Sequence, residues 1–579
     1  MSLKKMTCLI RSITKNGTNF FNSNVRCVSS VSKMKVVQGL NGEQIIHSPY
    51  ENAPLPDLTL PEYVWRNVNN YSNKVALECG ITGRKYTYGE ARDKCNYLAR
   101  SLSKLGIKNG DIVALILPNL PETPIAFLAC LEAGAIVTTA NPYYTVDELF
   151  KQLSVVSKKL SAVITSTEIA STVASALNSI SPNCPFILVD DGTQSSFMKS
   201  DALYFNDLIE KGKSLPQLPA SRRSPKDVSI IPFSSGTTGL PKGVMLSDEN
   251  LVANLEMLTI SVGDEFFTKS GDDQDIFPTV LPMFHIFGMN CVTFSRLADG
   301  AKLVTLPKFT PESYISTLEK NKVTGLFLVP PILLFLTSST LAKKRHLDHV
   351  KFVFSGAAPL SDTDFERFKE KFQAPIKCCQ GYGLTESSPA AFIEKSGKKY
   401  ASIGKPVSSC QARLIDIETK KDISKPNKAG ELWISGPHIM KGYYNNDEAT
   451  RETLENGWLK TGDVAYFDDD GDFFISDRIK ELIKVKGFQV APAELEAILR
   501  THPCIAEAAV IGIKDAKAGE LPKAFVQLKK DKETSEEEIQ NFMKGKVSEY
   551  KELRGGVTFL KEVPKSSTGK ILRSKLKSS

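Results

Sequence analysis

From about residue 110 to 360, short apolar runs recur at 112–117, 162–165, 186–189, 302–306, 325–329 and 352–354. They are nearly continuous rather than alternating, so each must be covered on both faces. Helical patterns lie between several of them. Thr145-Val-Asp-Glu148 reads as a capping box, and Val146, Leu149, Phe150, Leu153 and Val156 follow at helical spacing. Apolar strands alternating with helices predict an α/β fold of doubly wound, mainly parallel sheets. After about residue 400 the pattern changes. Runs at 412–415, 431–435 and 472–476, separated by turn-rich stretches, predict a β-rich subdomain. From about 480 a further unit begins. It contains an amphipathic helix over Pro492–Arg500, with Leu495, Ile498 and Leu499 on one face.

A chain of 579 residues is too long for one small core, and 41% hydrophobic with 24% charged residues is a globular composition. No uninterrupted apolar run reaches ~18 residues, so a membrane-spanning helix is not expected. The most apolar region, 112–140, is interrupted by Pro118, Asn119, Pro121, Glu122 and Pro124. The net charge of +8 is not spread evenly. Residues 1–42 hold Lys4, Lys5, Arg11, Lys15, Arg26, Lys33 and Lys35 and no acidic residue, which leaves the body nearly neutral. Charge therefore gives no reason to expect a nucleic-acid partner. The basic, Ser-rich head has no long apolar stretch. It fits a mitochondrial transit peptide with cleavage near Arg26–Cys27, with a solvated extension as the alternative. The 11 cysteines include no CxxC pair, so buried free thiols are expected rather than disulfides or zinc. His346 and His349, three apart on an expected helix, read as a surface pair.

The sharpest motif is Ser234-Ser-Gly-Thr-Thr-Gly-Leu-Pro-Lys-Gly-Val244. It follows an apolar run at 228–233 and precedes a helix that Ser247 can cap. Small residues let backbone N–H groups close around phosphate oxygens. The hydroxyls of Ser234, Ser235, Thr237 and Thr238, the turns at Gly236 and Gly239, and the charge of Lys242 suit that task. It is not a Walker A loop, because Lys242 is flanked by Pro241 and Gly243.

This segment resembles the phosphate loop of the AMP-forming acyl-adenylate superfamily, which includes acyl-CoA synthetases, 4-coumarate:CoA ligases and beetle luciferases. Further segments match in family order: Ser355-Gly-Ala-Ala-Pro-Leu360, Gly381-Tyr-Gly-Leu-Thr-Glu386, Gly457-Trp-Leu-Lys-Thr-Gly-Asp463, 477–489 and Val563-Pro-Lys-Ser-Ser-Thr-Gly-Lys570. Together they span about 50 to 575 and lie nearest the 4-coumarate ligase/luciferase branch. The resemblance implies a head at 1–42, an AMP-binding domain at 43–478 and a small mobile α+β domain at 479–579.

It also implies an ATP-dependent acid:CoA ligase that uses ATP, Mg²⁺ and coenzyme A. Glu386 resembles the metal-binding carboxylate, and Thr385 a phosphate contact. Gly356, Ala357, Ala358, Gly381, Tyr382 and Gly383 would form the adenine slot. Asp463 would hold the ribose, with Arg478 in support. Lys570 would reach in from the last domain for adenylation. Lys480 resembles a hinge. Lys484 and Gln489 resemble residues presented for the thiol step after rotation.

Pro282-Met-Phe-His-Ile-Phe287 resembles the acyl-pocket segment, with His285 near the reacting carboxyl. Phe287 stands where hydroxycinnamate ligases commonly carry Tyr, so the expected substrate is a medium- or long-chain fatty acid or an unhydroxylated aryl acid. Lys460 stands where plant ligases and luciferases usually carry His. A luciferase-like monooxygenase would share the same adenylation motifs and remains the alternative, with a non-catalytic nucleotide-binding relative as a third reading. The expected address is the mitochondrial matrix, otherwise the cytoplasm or peroxisome. The oligomeric state is left open.

Overall fold

Five sheets organise the described residues of the computed structural model. The structure describes residues 35–577, apart from 40–41, 194–200, 220–222, 235–240, 264–273, Pro359, 486–487, Ala516 and 567–568. Contacts join the described residues into one unit.

The nine-stranded sheet has a parallel centre in the order Val228–Ile231, Ile136–Thr139, Ile112–Ile116, Leu160–Ser166, Phe186–Val189 and Leu203–Tyr204. Its strands are apolar on both faces for a visible reason. Val113 and Leu115 feed the main core, whereas Ile112, Ala114 and Ile116 feed a second core beneath the helix Val146–Val156. Thr145 and Glu148 cap that helix as expected, and Leu149, Leu153 and Val156 are buried. Val146 and Phe150, though at helical spacing, face outward. A four-stranded sheet pairs Ile276–Thr279, Lys302–Thr305 and Val75–Cys79 in parallel.

A five-stranded sheet carries Gly325–Leu328, Phe352–Ser355 and Lys377–Gly383 in parallel, then Ala390–Glu394 and Lys405–Pro406 antiparallel. Ligands of open α/β sheets gather at the carboxyl ends of parallel strands. Here those ends lead into Gly356–Ala358 and Thr385–Glu386.

The β-rich region is a seven-stranded antiparallel sheet. Its strand Gly430–Ser435 alternates buried and half-buried residues, as a sheet with one covered face requires. Lys35–Gln38, expected in the head, forms a hairpin with Gln44–His47 on this sheet, so the folded body begins upstream of residue 43. The last sheet contains Ile483–Val485, Phe488–Val490, Ile505–Asp515, Gly519–Leu528 and Val557–Leu560, with a core of its own. The helix Pro492–Arg500 packs Leu495 and Leu499 into that core.

No disulfide joins the described cysteines, and all but Cys504 are buried. His346 and His349 are not a surface pair. His346 is buried and its Nδ1 accepts the Lys343 N–H at 3.1 Å, while His349 is exposed. No helix among the described residues is long and apolar enough to cross a membrane.

Candidate active site

Asp463 and Arg478 lie opposite each other on the antiparallel strands Trp458–Phe467 and Phe473–Arg478. Their side chains meet at 2.9 Å, from Asp463 Oδ1 to Arg478 Nε. Tyr382, at the end of Lys377–Gly383, donates its hydroxyl to Asp463 Oδ2 at 2.6 Å. The carboxylate is 2% exposed, so its charge would be costly without these partners. Burial works against the Arg478 charge, but Asp463, Tyr382, Glu481 and Glu386 outweigh it and hold the guanidinium protonated.

Lys570, in the last unit, lies within reach of the charges of this pair. It lies in a tight loop where Ser566 N–H donates to the Lys570 carbonyl at 2.8 Å, and Lys570 N–H donates to Ser566 Oγ at 3.1 Å. The preceding Gly569 adopts φ +83°, and a Cβ there would lie 2.7 Å from Pro331, at the start of the helix Pro330–Ser338. Only glycine lets this loop settle so closely on the larger domain. Burial and the neighbouring Arg478 push the Lys570 ammonium down to about 8, against the opposing pull of Glu481 and Asp463.

A second cluster forms around Glu386. Tyr443 donates its hydroxyl to Glu386 Oε1 at 2.9 Å, and the Lys242 ammonium sits 4.9 Å from the Tyr443 ring centre. Strand pairing explains the convergence. Lys242–Ser247 pairs with both Phe233–Ser234 and Gly442–Tyr443, so Val244 faces Tyr443 and Ser234 faces Lys242. Met440 N–H donates to the Glu386 carbonyl at 2.9 Å and fixes the other side. Thr385 and Glu386 are both 9% exposed. The Glu386 carboxylate retains lone pairs beyond the Tyr443 contact, and such a hard oxygen donor fits a divalent cation. Ser235, Gly236, Thr237, Thr238 and Gly239 lie outside the described residues.

Gly356, Ala357 and Ala358 follow the strand Phe352–Ser355, and Ala357 takes the left-handed φ of 71°. Gly381 is tightly packed, since a Cβ there would come within 2.4 Å of the Phe354 ring. Gly383 likewise presses on the Pro389 carbonyl. The Phe287 ring packs on Gly356, where a Cβ would lie 3.4 Å away. It meets Phe327 and Phe354 with ring centres 6.5 and 6.1 Å apart. This wall contains no hydroxyl. Phe287 opens a π-helical turn running to Phe294, a wide coil that often marks functional segments. Thr293 Oγ1 donates to the Gly288 carbonyl at 2.8 Å within that coil. Asn290 Nδ2 ties the coil to the Ser388 carbonyl, just past Glu386, at 2.7 Å. Burial pushes His285 down to about 4. Its Nδ1 accepts the Phe287 N–H at 3.3 Å, which places the proton of the neutral ring on Nε2.

The remaining residues lie elsewhere. Lys480 is exposed in the turn after Arg478, whose carbonyl accepts the N–H groups of Glu481 and Leu482 at 2.9 and 3.1 Å. Lys484 is exposed and is paired in register with Gln489 across the hairpin of the last sheet. The side chain of Gln489 lies outside what the structure describes. Lys460 takes no part in the site: it pairs with Glu455 at 2.6 Å and lies 5.1 Å from the Trp433 ring. Sequence reading missed Tyr443. Its only signal was a Gly-Tyr-Tyr run at 442–444 in a turn-rich stretch.

The family described as AMP-binding enzyme matches residues 64–444, and the AMP-binding enzyme C-terminal domain matches residues 494–570. A probable 4-coumarate–CoA ligase 1 of Dictyostelium discoideum is 38% identical over 550 residues, covering 93% of this chain and 98% of its own length. The 4-coumarate–CoA ligase 1 of Petroselinum crispum is 39% identical over 538 residues, covering 91% and 96%. Among solved structures, the anthranilate CoA ligase AuaEII in complex with anthranoyl-AMP superposes with a TM-score of 0.80 at 26% identity, covering 91% of this chain and 97% of that one. A benzoate CoA ligase from Burkholderia xenovorans LB400 gives 0.77 at 26% identity, covering 90% and 99%.

Proposed function

The chain belongs to the AMP-binding enzyme family, and we propose that it joins an apolar carboxylic acid to coenzyme A through an acyl-adenylate. The observation that carries this reading is the cluster of the buried Asp463 with Arg478 and Tyr382, with the Gly569–Lys570 loop of the last unit closed onto Pro331 of the larger domain. The relatives and structures named above are CoA ligases, and they favour this reaction over a luciferase-like oxidation.

In the first step a carboxylate oxygen of the acid bonds to the α-phosphorus of ATP, and the bond to pyrophosphate breaks. Both reactants are anions, so the chain's task is to orient them and balance charge. Asp463 accepts from the ribose hydroxyls, while Arg478 and Tyr382 hold its carboxylate in place. Lys570 donates toward charge building on the acyl-phosphate oxygens. Lys242 serves the phosphates. Glu386 would hold Mg²⁺, which would neutralise phosphate charge. His285, neutral and protonated at Nε2, donates toward the acid's carboxyl group. In the second step the CoA sulfur bonds to the acyl carbon and AMP leaves. Lys484 and Gln489 would be presented for this step by rotation at Lys480.

The hydroxyl-free wall of Phe287, Phe327 and Phe354 supports a medium- or long-chain fatty acid or an unhydroxylated aryl acid. Pyrophosphate release and thioester formation, measured over acids of graded chain length and ring type, test this reading. Apolar acids are expected to give AMP, pyrophosphate and thioester together. No turnover with any acid would overturn the ligase reading, and preference for 4-hydroxylated rings would overturn the apolar one.

The charge pattern of residues 1–42 supports import into the mitochondrial matrix. A C-terminal fluorescent fusion is expected to mark mitochondria. A cytosolic signal with an intact N-terminus would refute the address.

A further inference from the structure

Arg573 stands three residues beyond Lys570, at the start of the helix Arg573–Lys577. It reaches two carboxylates on different elements. Its Nη1 lies 3.3 Å from Glu481 Oε2, and its Nη2 lies 2.7 Å from Glu496 Oε1. All three side chains are largely withdrawn from water, at 14% exposed for Arg573, 20% for Glu481 and 5% for Glu496. Glu481 directly follows Lys480 in the turn that leaves Arg478. Glu496 belongs to the helix Pro492–Arg500 and also accepts the Val510 N–H at 2.8 Å, which anchors it to the last sheet. The same helix is held at its beginning by Asp477, whose Oδ2 accepts the Ala493 N–H at 3.0 Å. Between Lys570 and Arg573 the chain has little freedom. Ile571 bridges to Lys565, and Leu572 N–H donates to the Pro564 carbonyl at 2.9 Å.

We propose that Arg573 is a positioning residue for adenylation: its fork ties the Lys570 loop to Glu481 and Glu496, so that the loop and the chain emerging at Lys480 move as one rigid piece. The inference rests on the assignment of Lys570 to the first half-reaction. Guanidinium suits the task, because its planar fork engages two carboxylates from fixed directions. A long loop carried on one flexible connection would deliver its ammonium over a wide range of positions. Fastening the loop at the point where the chain leaves the turn shortens that lever.

The test uses the full-length enzyme and measures the half-reactions separately. Acid-dependent exchange of pyrophosphate into ATP reports adenylation, and supplied acyl-adenylate with CoA reports thioester formation. Arg573→Met is expected to lower the adenylation kcat about 10–100-fold, the scale of a small misplacement of a reacting group. The KM for ATP and the thioester rate should change little. Arg573→Lys should recover part of the loss. The double variant Lys570→Ala/Arg573→Met should be no slower in adenylation than Lys570→Ala, because both act through one ammonium. Equal loss in both half-reactions, or losses that multiply in the double variant, would overturn the proposal. If Arg573→Met does not melt cooperatively, Glu481→Gln replaces it. That variant leaves the Glu496 contact intact and should show the same adenylation-selective loss, and wild-type adenylation would overturn the proposal. Lys570→Ala alone tests the underlying assignment: unchanged adenylation there refutes the role of Lys570 itself.

Discussion

Asp463 and Arg478 face each other across adjacent strands with 2.9 Å between Oδ1 and Nε, and Tyr382 closes the other carboxylate oxygen at 2.6 Å. The protein itself therefore orients the carboxylate proposed to accept from the ribose hydroxyls. Asp463→Ala removes the acceptor and leaves Arg478 without its partner. It is expected to lower kcat/KM for ATP by about 10²-fold, near 3 kcal/mol. Tyr382→Phe loses one hydrogen bond and should cost about tenfold or less. Initial rates at varied ATP check both, and an Asp463→Ala enzyme with wild-type kcat/KM would contradict the assignment.

In its proposed role, Lys570 should make adenylation sensitive to alkali. Its ammonium, pushed down to about 8, is charged below that pH and neutral above it. The kcat/KM for ATP of the free enzyme should therefore fall as pH rises through about 8. Lys570→Arg, whose charge persists at high pH, should work more slowly but lose this alkaline limb. Stability has the opposite sign. Between about 8 and the ordinary 10.5 the unfolded chain binds the proton and the folded chain does not, so this group makes folding more favourable as pH climbs through that window. Rate profiles and melts of wild type and Lys570→Met across pH 7–10 check both effects.

The contact between Glu386 and Tyr443 predicts a graded metal response. Glu386→Gln removes the anionic oxygen and should raise the Mg²⁺ needed for half-maximal rate by about tenfold or more. Tyr443→Phe keeps the carboxylate but frees its orientation, so the shift should be smaller. Rates titrated with MgCl₂ measure this, and an unchanged Mg²⁺ requirement in Glu386→Gln would remove that residue from the metal site.

Phe287 predicts a change of selectivity. Phe287→Tyr places a hydroxyl in an aromatic wall that has none. The ratio of kcat/KM for a 4-hydroxylated aryl acid over its unhydroxylated analogue should rise about tenfold. An unchanged ratio would show that Phe287 does not border the substrate ring.

Much of this was legible in the chain itself, and the exceptions share a cause. Parallel sheets were readable because strands covered on both faces must be apolar throughout, as the burial of Ile112–Ile116 shows. The caps at Thr145 and Ser247 and the helix Pro492–Arg500 were readable because their signals are local. Glu386, Asp463, Arg478 and Lys570 came from motif context. Tyr443 was not readable, because its role arises where a strand pairs with Lys242–Ser247. Glu481, Glu496 and Arg573 were missed for the same reason: their partnership exists only after three separate segments pack together. Spacing also misjudged faces, leaving Phe150 outside and His346 inside, since periodicity cannot show which neighbour arrives to cover a side chain.

The proposed reaction passes through an acyl-adenylate held by Asp463, Arg478 and Lys570. The most direct measurement uses an acid substrate labelled in its carboxylate oxygens, with mass spectrometry of the nucleotide product. If a carboxylate oxygen attacks the α-phosphorus and CoA later releases AMP, one labelled oxygen should appear in AMP for each thioester formed. Label in inorganic phosphate, or thioester formed alongside unlabelled AMP, would contradict it.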